Sequence, residues 1–145
     1  MQAIILAAGM GSRLKDKTKD IPKALVSING TPLIINTLNI LSNFNISEVI
    51  IVVGYLKEKI KSFIGNSYNN MKITYVDNDL YKESNNIYSL YLTKNYIKED
   101  TLLLECDLYF QKKIIDRIIN EKSDCNIMVS KYNPKTMNGT VVELD

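Results

Sequence analysis

Short apolar runs recur along the chain and predict its strands. The β-branched run Glu48–Val53 is typical of a strand covered on both faces of a sheet. A shorter extended piece is predicted over residues 24–28, ending at the turn dipeptide Asn29-Gly30. Runs of similar length predict five more strands, at Gln2–Ala7, residues 71–76, Thr101–Glu105, residues 125–129 and residues 140–144.

Between these runs, apolar residues recur at helical spacing. The predicted helices run from Thr31-Pro32 to about Asn43 and over residues 56–64, 85–97 and 114–119. Thr31 is the predicted cap of the first helix, with Pro32 at its first position. Ser84 or Asn85 is the predicted cap of the third. Strands that alternate with helices predict an α/β fold with a Rossmann-like, mixed, mostly parallel sheet and helices on both faces.

Composition narrows the classes of function. The 145 residues suit one domain, and a formal net charge of +2 argues against a nucleic-acid partner. No apolar run reaches membrane-spanning length, and the N-terminus does not resemble a secretory signal. Cys106 and Cys125 both lie in apolar stretches, which predicts buried, reduced thiols and a cytoplasmic protein. The absence of histidine excludes histidine-based triads.

A loop made mostly of small residues, residues 8–12, follows the first predicted strand and is called the small-residue loop. Ligands of open α/β sheets bind beyond the carboxyl ends of the strands, and small residues let a phosphate or base approach backbone N–H groups. Arg13 adds a forked cation, and Lys23 adds a second positive charge after the stiff Pro22. The candidate residues for contacting a phosphate or a base in this segment are Leu6, Ala8, Gly9, Met10, Gly11, Ser12, Arg13 and Lys23.

Two other glycine-loop motifs fit this segment less well. A Walker loop needs Gly-Lys-Ser/Thr, whereas Gly11 is followed by Ser12 and Arg13. A dinucleotide fingerprint needs a third small residue where Leu14 stands. An ordinary tight turn in a solvated charged loop remains the alternative to a phosphate site.

Residues 6–13 with Pro22-Lys23 resemble the nucleotidyltransferases that activate sugar phosphates and phosphorylated amino alcohols. Residues 85–92 are similar to the phosphocholine cytidylyltransferase branch of that family, where sugar-activating relatives have a Gly-Thr-Ala stretch. The strand end at Glu105-Cys106-Asp107 resembles the one that carries a magnesium-binding aspartate. Residues 131–132 and 138–142 resemble the same branch, which includes enzymes acting on 2-aminoethylphosphonate.

The resemblance implies the nucleotide-diphospho-sugar transferase type of fold and a magnesium-dependent cytidylyltransferase. Such an enzyme would transfer CMP from CTP to phosphocholine or to a related phospho or phosphono amino alcohol, such as 2-aminoethylphosphonate, and would release pyrophosphate. Arg13 would clamp the pyrophosphate, Lys23 would bridge the nucleotide and acceptor phosphates, and Asp107 would hold Mg²⁺. The residues implied near the base and ribose are Asn78, Asn85, Asn86 and Ser89.

Several alternatives stay open at this point. A sugar-1-phosphate nucleotidyltransferase using UTP or dTTP and a non-catalytic nucleotide-binding regulator share the glycine loop. Asp107 is also placed to cap a following helix, and Asn85 and Asn86 are equally suited to capping. The remaining aromatic candidates suit either packing or a choline cage: Tyr81, Tyr88, Tyr91 and Tyr132.

The family has a second metal-binding carboxylate on a later strand and much of its acceptor pocket downstream. Residues 1–145 are therefore predicted to be the N-terminal, nucleotide-binding portion of a nucleotidyltransferase domain that is incomplete at its C-terminus. Asn138 stands where close relatives have an aspartate, which leaves the acceptor open. The expected partners are CTP and a small phosphorylated or phosphonated acceptor, with no nucleic acid, no membrane and a possible oligomer.

Overall fold

The computed structural model describes residues 1–12, 14 and 18–129. The chain divides into two units, Met1–Phe110 and Gln111–Asp145. A 3₁₀ turn, Lys23–Leu25, lies in the first unit. The regular elements of that unit are β1 Gln2–Ala7, β2 Ser27–Ile28, β3 Thr31–Pro32, α1 Leu33–Leu41, β4 Glu48–Val53, α2 Lys57–Ile64, β5 Ser67–Tyr68, β6 Met71–Asp77, α3 Asn86–Leu92 and β7 Thr101–Glu105.

Five strands form the main sheet, in the order β5-β6-β4-β1-β7. β1, β4, β6 and β7 run parallel, and the short β5 pairs antiparallel to β6. Neighbouring residues of the central strands, such as Ile4 and Ile5 or Ile50 and Ile51, are completely buried. Since successive side chains of a strand point to opposite faces, both faces of the sheet are covered.

The order of connections reverses at β1. The chain moves outward from β1 to β4 and β6 and then returns to place β7 on the other side of β1. Right-handed crossovers therefore put α1 and α2 on one face of the sheet and α3 on the other. Leu90 and Leu92 pack against the cluster formed by Ile4, Leu6 and their neighbours, as expected for α3. The predicted fold class is confirmed, and the switch point lies between the carboxyl ends of β1 and β7.

The predicted start of the first helix is wrong by one residue. Asn29 and Gly30 have φ angles of 50° and 81° and form a tight turn that sends the chain back on itself. Thr31 and Pro32 consequently pair with β2 as the antiparallel strand β3. Pro32 becomes the N-cap residue and the helix begins at Leu33, so Thr31 has no capping role.

The third helix is shorter than predicted and ends at Leu92 instead of residue 97. The buried side chain of Gln2 accounts for the difference. Its amide donates to the Tyr96 carbonyl at 3.1 Å and accepts from the Lys98 N–H at 3.2 Å. The backbone of residues 93–98 is therefore held against the start of β1 and cannot continue the helix.

In the second unit, α4 spans Lys112–Asn120 and contains the predicted helix. The strand predicted over residues 125–129 does not form, and Cys125 is exposed. Ile127 is 75% exposed, and no described residue pairs with this run, so its apolar sequence lacks the neighbour that a strand needs. The strand predicted over residues 140–144 lies outside the described residues. None of the described helices has the length and apolar character required to cross a bilayer.

Candidate functional site

The candidate site lies at the switch point of the sheet, where β1 and β7 end. The Cys106 N–H donates to the Leu6 carbonyl at 3.2 Å, which carries the pairing of β7 with β1 one residue past the strand. Asp107 follows immediately. The ammonium group of Lys23 forms an ion pair with the Asp107 carboxylate. The predicted cation and the predicted acidic residue, 84 positions apart, thus meet at this edge.

Local backbone structure explains the position of Lys23. Pro22 precedes the 3₁₀ turn Lys23–Leu25, and its carbonyl accepts from the Leu25 N–H at 2.8 Å. Ala24, within this turn, is buried and fixes the turn against the protein. Side chains of the ion pair stay accessible, 22% exposed for Lys23 and 35% for Asp107. Both charges are therefore held in place and open to a ligand.

The small-residue loop packs directly on Lys23. Gly11 has a φ of 65°, and a Cβ placed there would lie 3.0 Å from the Lys23 Cβ and 3.2 Å from the Thr18 Cγ2. Its carbonyl accepts from the Thr18 hydroxyl at 3.0 Å and from the Leu14 N–H at 2.9 Å. Glycine at position 11 therefore satisfies both a left-handed backbone and a close approach to the lysine.

Other predicted residues of the loop differ in exposure. Leu6 and Ala8 are buried, so their backbone is what they can offer to a ligand. Gly9, Met10 and Ser12 are exposed. Arg13 lies outside the described residues, and its role as a phosphate clamp stays a prediction.

Replacing Gly11 with alanine is expected to lower both stability and activity. The left-handed backbone costs alanine about 1–2 kcal/mol, and the added methyl group would displace Lys23. Thermal unfolding and pyrophosphate release measure the two effects. The matched control is Gly30→Ala, because Gly30 also has a positive φ but has no atom within 4 Å of an added Cβ. Equal loss of turnover in both variants would contradict the proposed contact with Lys23.

Asn78 lies in the region where a nucleotide contact was predicted, but its side chain faces the protein. The residue is 1% exposed. Its amide donates to the Ser84 hydroxyl at 2.9 Å and to the Ser89 hydroxyl at 3.0 Å, and its oxygen accepts from the Leu80 N–H at 3.0 Å. Asn78 and the buried Ser89 therefore shape the loop between β6 and α3 in this structure, and neither presents its polar atoms to the surface.

The two asparagines at the start of α3 have different contacts. Asn85 is the N-cap, and its side chain accepts from the Tyr88 N–H at 3.2 Å, as the capping alternative predicted. The Asn86 amide donates to the Glu105 carboxylate at 2.8 Å. This bond joins the start of α3 to the end of β7, two residues before Asp107. Asn86 therefore lies beside the ion pair, and its exposed side chain is accessible.

Glu105 is a member of the site that the sequence analysis did not assign. Burial and the nearby charge of Asp107 raise the pKa of its carboxyl above the ordinary value. Burial, with the Asp107 charge second, also raises the pKa of the Cys106 thiol to about 12. The buried, free cysteine predicted at position 106 is confirmed. The available signal for Glu105 was its position, two residues before Asp107 at the end of the same strand.

The donor set allows a test of the expected Mg²⁺ site. Among the described residues, no group of three or more acidic, cysteine or histidine side chains forms a metal cluster. Mg²⁺ needs only one or two carboxylates when substrate phosphates and water supply its other ligands. Asp107 is accessible and adjoins the Lys23 ammonium group, so it fits one such carboxylate.

The tyrosines considered for a choline cage form two separate ring pairs. Tyr81 lies 6.2 Å from Tyr55, and Tyr88 stacks on Tyr91 at 6.4 Å. The Lys94 ammonium group lies 4.2 Å from the centre of the Tyr91 ring, so that face already has a cation. Tyr132 and Asn138 lie outside the described residues.

Comparison with known proteins assigns the family. The model of the MobA-like NTP transferase domain matches residues 3–141, nearly the whole chain. The chain belongs to the MobA-like NTP transferase family. The resemblance to nucleotidyltransferases noted in the sequence is thus confirmed.

Named relatives of this family member include two curated enzymes. Choline-phosphate cytidylyltransferase of Streptococcus pneumoniae is 41% identical over 114 residues, which is 79% of the chain and 48% of that protein. CMP-5'-(3-aminopropyl)phosphonate synthase of Streptomyces rubellomurinus is 34% identical over 145 residues, all of the chain and 23% of that protein. The chain thus spans less than half of each.

A solved structure agrees with these similarities. CTP:phosphocholine cytidylyltransferase from Streptococcus pneumoniae superimposes with a TM-score of 0.65 at 42% identity, covering 73% of the chain and 44% of that structure. The likeness in fold and the likeness in sequence therefore point to the same branch of the MobA-like NTP transferases.

Proposed function

We propose that this chain is the nucleotide-binding portion of a magnesium-dependent cytidylyltransferase. The reaction transfers CMP from CTP to phosphocholine or to a related amino-alcohol phosphonate such as 2-aminoethylphosphonate, with release of pyrophosphate. The observation that carries the proposal is the accessible Lys23–Asp107 ion pair beside the small-residue loop at the switch point. Similarity to a choline-phosphate cytidylyltransferase and to a CMP-phosphonate synthase supports the choice of base and acceptor.

The chemistry needs few protein groups. An oxygen of the acceptor phosphate or phosphonate attacks the α-phosphorus of CTP, and the bond between that phosphorus and the bridging oxygen to the β-phosphate breaks. A phosphate monoester is largely dianionic at neutral pH, because its second pKa is about 6, so no general base is required. This fits a chain that contains no histidine. Catalysis then depends on positioning and on neutralising negative charge.

Individual residues have distinct roles in this proposal. Backbone N–H groups of residues 8–12 face the triphosphate, and Arg13 binds the leaving pyrophosphate. Lys23 donates to oxygens of the nucleotide and acceptor phosphates. Asp107 holds Mg²⁺, which when bound supplies positive charge to the phosphate oxygens. In this proposal Asn85 and Asn86, at the start of α3, contact the base and ribose.

The cellular location is part of the same proposal. Cys106 and Cys125 are both free, which suits a reducing compartment such as the cytoplasm.

A panel that measures pyrophosphate release from the complete protein tests the function. CTP, UTP and dTTP are each combined with phosphocholine, 2-aminoethylphosphonate and glucose 1-phosphate, with Mg²⁺ or with EDTA. We expect turnover with CTP and an amino-alcohol acceptor, and its loss in EDTA. Turnover with glucose 1-phosphate and UTP or dTTP alone would replace the proposal with a sugar-1-phosphate nucleotidyltransferase. Tight CTP binding by calorimetry without turnover would indicate a non-catalytic regulator.

A further inference from the structure

Tyr55 forms hydrogen bonds to two residues of the segment between β1 and the 3₁₀ turn, one near each end. Its backbone N–H donates to the Ala8 carbonyl at 3.0 Å, where the loop leaves β1. Its side-chain hydroxyl donates to the Lys19 carbonyl at 2.6 Å, where the loop returns toward Pro22 and Lys23. One residue thus joins the beginning and the end of the segment that carries the proposed phosphate-binding groups.

Gly54 makes the first of these contacts possible. A Cβ at this position would lie 2.7 Å from the Tyr81 Cβ and 2.9 Å from the Ala8 carbonyl oxygen, both closer than real side chains allow. The end of β4 can therefore approach Ala8 only because residue 54 has no side chain. The Tyr55 ring then lies 6.2 Å from the Tyr81 ring, within the distance range of favourable aromatic pairs.

Residue 20, next to Lys19, has a second attachment, to the helix α2 that follows Tyr55. The Lys59 ammonium group, on α2, donates to the Asp20 carbonyl. α2 is itself tied to the end of β6, because Lys57 and Lys61 form ion pairs with Asp77 at 3.0 and 2.8 Å. The Tyr55 hydroxyl therefore attaches the loop to a part of the fold that is held independently of the loop.

We infer that Tyr55 is a positioning residue that holds Ala8 and residues 18–20 in their nucleotide-binding arrangement before the nucleotide arrives. The identity of the ligand as a nucleotide rests on the proposed function. The attachment of the loop by Tyr55 does not depend on it. If these residues are already ordered in the free protein, binding does not have to order them, and its free-energy cost is lower. The Tyr55 hydroxyl therefore increases the affinity for the nucleotide. The bond is made to backbone, away from the reacting atoms, so it has little effect on the chemical step.

The decisive variant is Tyr55→Phe, which removes the hydroxyl bond to Lys19 and keeps both the backbone bond to Ala8 and the ring. Amide hydrogen exchange of residues 18–21 in the nucleotide-free protein is expected to become about fivefold faster, as loss of one hydrogen bond implies. The KM for CTP is expected to rise by about fivefold, with kcat and the KM for the acceptor within about twofold of wild type.

The matched control is Tyr75→Phe. The Tyr75 hydroxyl also donates to a backbone carbonyl at 2.6 Å, that of Gly65 at the end of α2, away from the loop. We expect this variant to leave the exchange of residues 18–21 and the KM for CTP unchanged. Exchange in Tyr55→Phe equal to that of the control would overturn the inference, and so would faster exchange without a change in KM.

Failure of the proposed function is recognised separately. A wild-type protein that releases no pyrophosphate with any nucleotide contradicts the cytidylyltransferase assignment. The exchange comparison and the affinity for CTP measured by calorimetry, in place of KM, then still decide whether Tyr55 orders the loop for a nucleotide.

Discussion

Lys23→Ala is expected to reduce the kcat/KM of the complete protein for CTP by about 100- to 1000-fold, the usual effect of removing one preorganised charge or donor from a site that stabilises developing negative charge. Among the described residues, the Lys23 ammonium group is the one cation that forms an ion pair with Asp107. Its loss leaves the phosphates without that charge and leaves Asp107 unpaired. Steady-state pyrophosphate release measures the effect.

Folding should tolerate this change. The ion pair is partly exposed, and such pairs contribute about 0–1 kcal/mol to the free energy of unfolding. Lys72→Ala is the matched control, because Lys72 forms an ion pair with Glu48 at 3.0 Å, elsewhere on the sheet. We expect it to keep wild-type turnover. Cooperative unfolding lost in Lys23→Ala but kept in Lys72→Ala would mean that Lys23 is a structural residue.

Asp107→Ala is the second substitution with a large expected effect. Removal of the proposed metal-binding carboxylate should lower turnover by a similar 100- to 1000-fold and should raise the Mg²⁺ concentration needed for half-maximal rate. A Mg²⁺ titration of pyrophosphate release at saturating CTP separates the two effects. The lysine left behind keeps its interaction with phosphate, so CTP binding should weaken less than turnover.

Asp79→Ala serves as the control for Asp107→Ala. Asp79 is also a carboxylate in an ion pair, with Lys57 at 2.8 Å, and it is 80% exposed. Its loss is expected to leave both turnover and the Mg²⁺ titration unchanged. An Asp107→Ala protein with a lower rate but an unaltered Mg²⁺ requirement would show that Asp107 orients Lys23 and does not hold the metal.

The strands of the sheet were the most predictable part of the fold, because burial on both faces leaves a continuous apolar signal. Glu48–Val53 forms within its predicted limits for this reason. Helix ends were less predictable, since they depend on partners far along the chain. The buried side chain of Gln2 ends α3 through Tyr96 and Lys98, more than 90 residues away.

The residues of the candidate site were predictable where both their chemical type and their position in the sequence indicated a site. Lys23 and Asp107 have charges suited to phosphate and metal. Asp107 stands directly after a predicted strand and Lys23 ends the loop that follows another, so the order of the strands brings both to the same edge of the sheet. The 3₁₀ turn that holds Lys23 in place was not predicted. Asn78 shows where this reasoning stops. An asparagine at a strand end has the same sequence signature whether its amide faces a ligand or, as here, the hydroxyl groups of two serines. Tyr55 gave no signal, because its role depends on two backbone carbonyls.

The ion pair between Lys23 and Asp107 couples the binding of the metal to the binding of the nucleotide. A nucleotide that binds Lys23 without a metal breaks the ion pair and leaves Asp107 without a counter-charge. A divalent ion that binds Asp107 without a nucleotide leaves Lys23 without one. A complex that brings both charges satisfies both side chains together. Metal and nucleotide should therefore each increase the affinity of the site for the other, by the same factor in both directions.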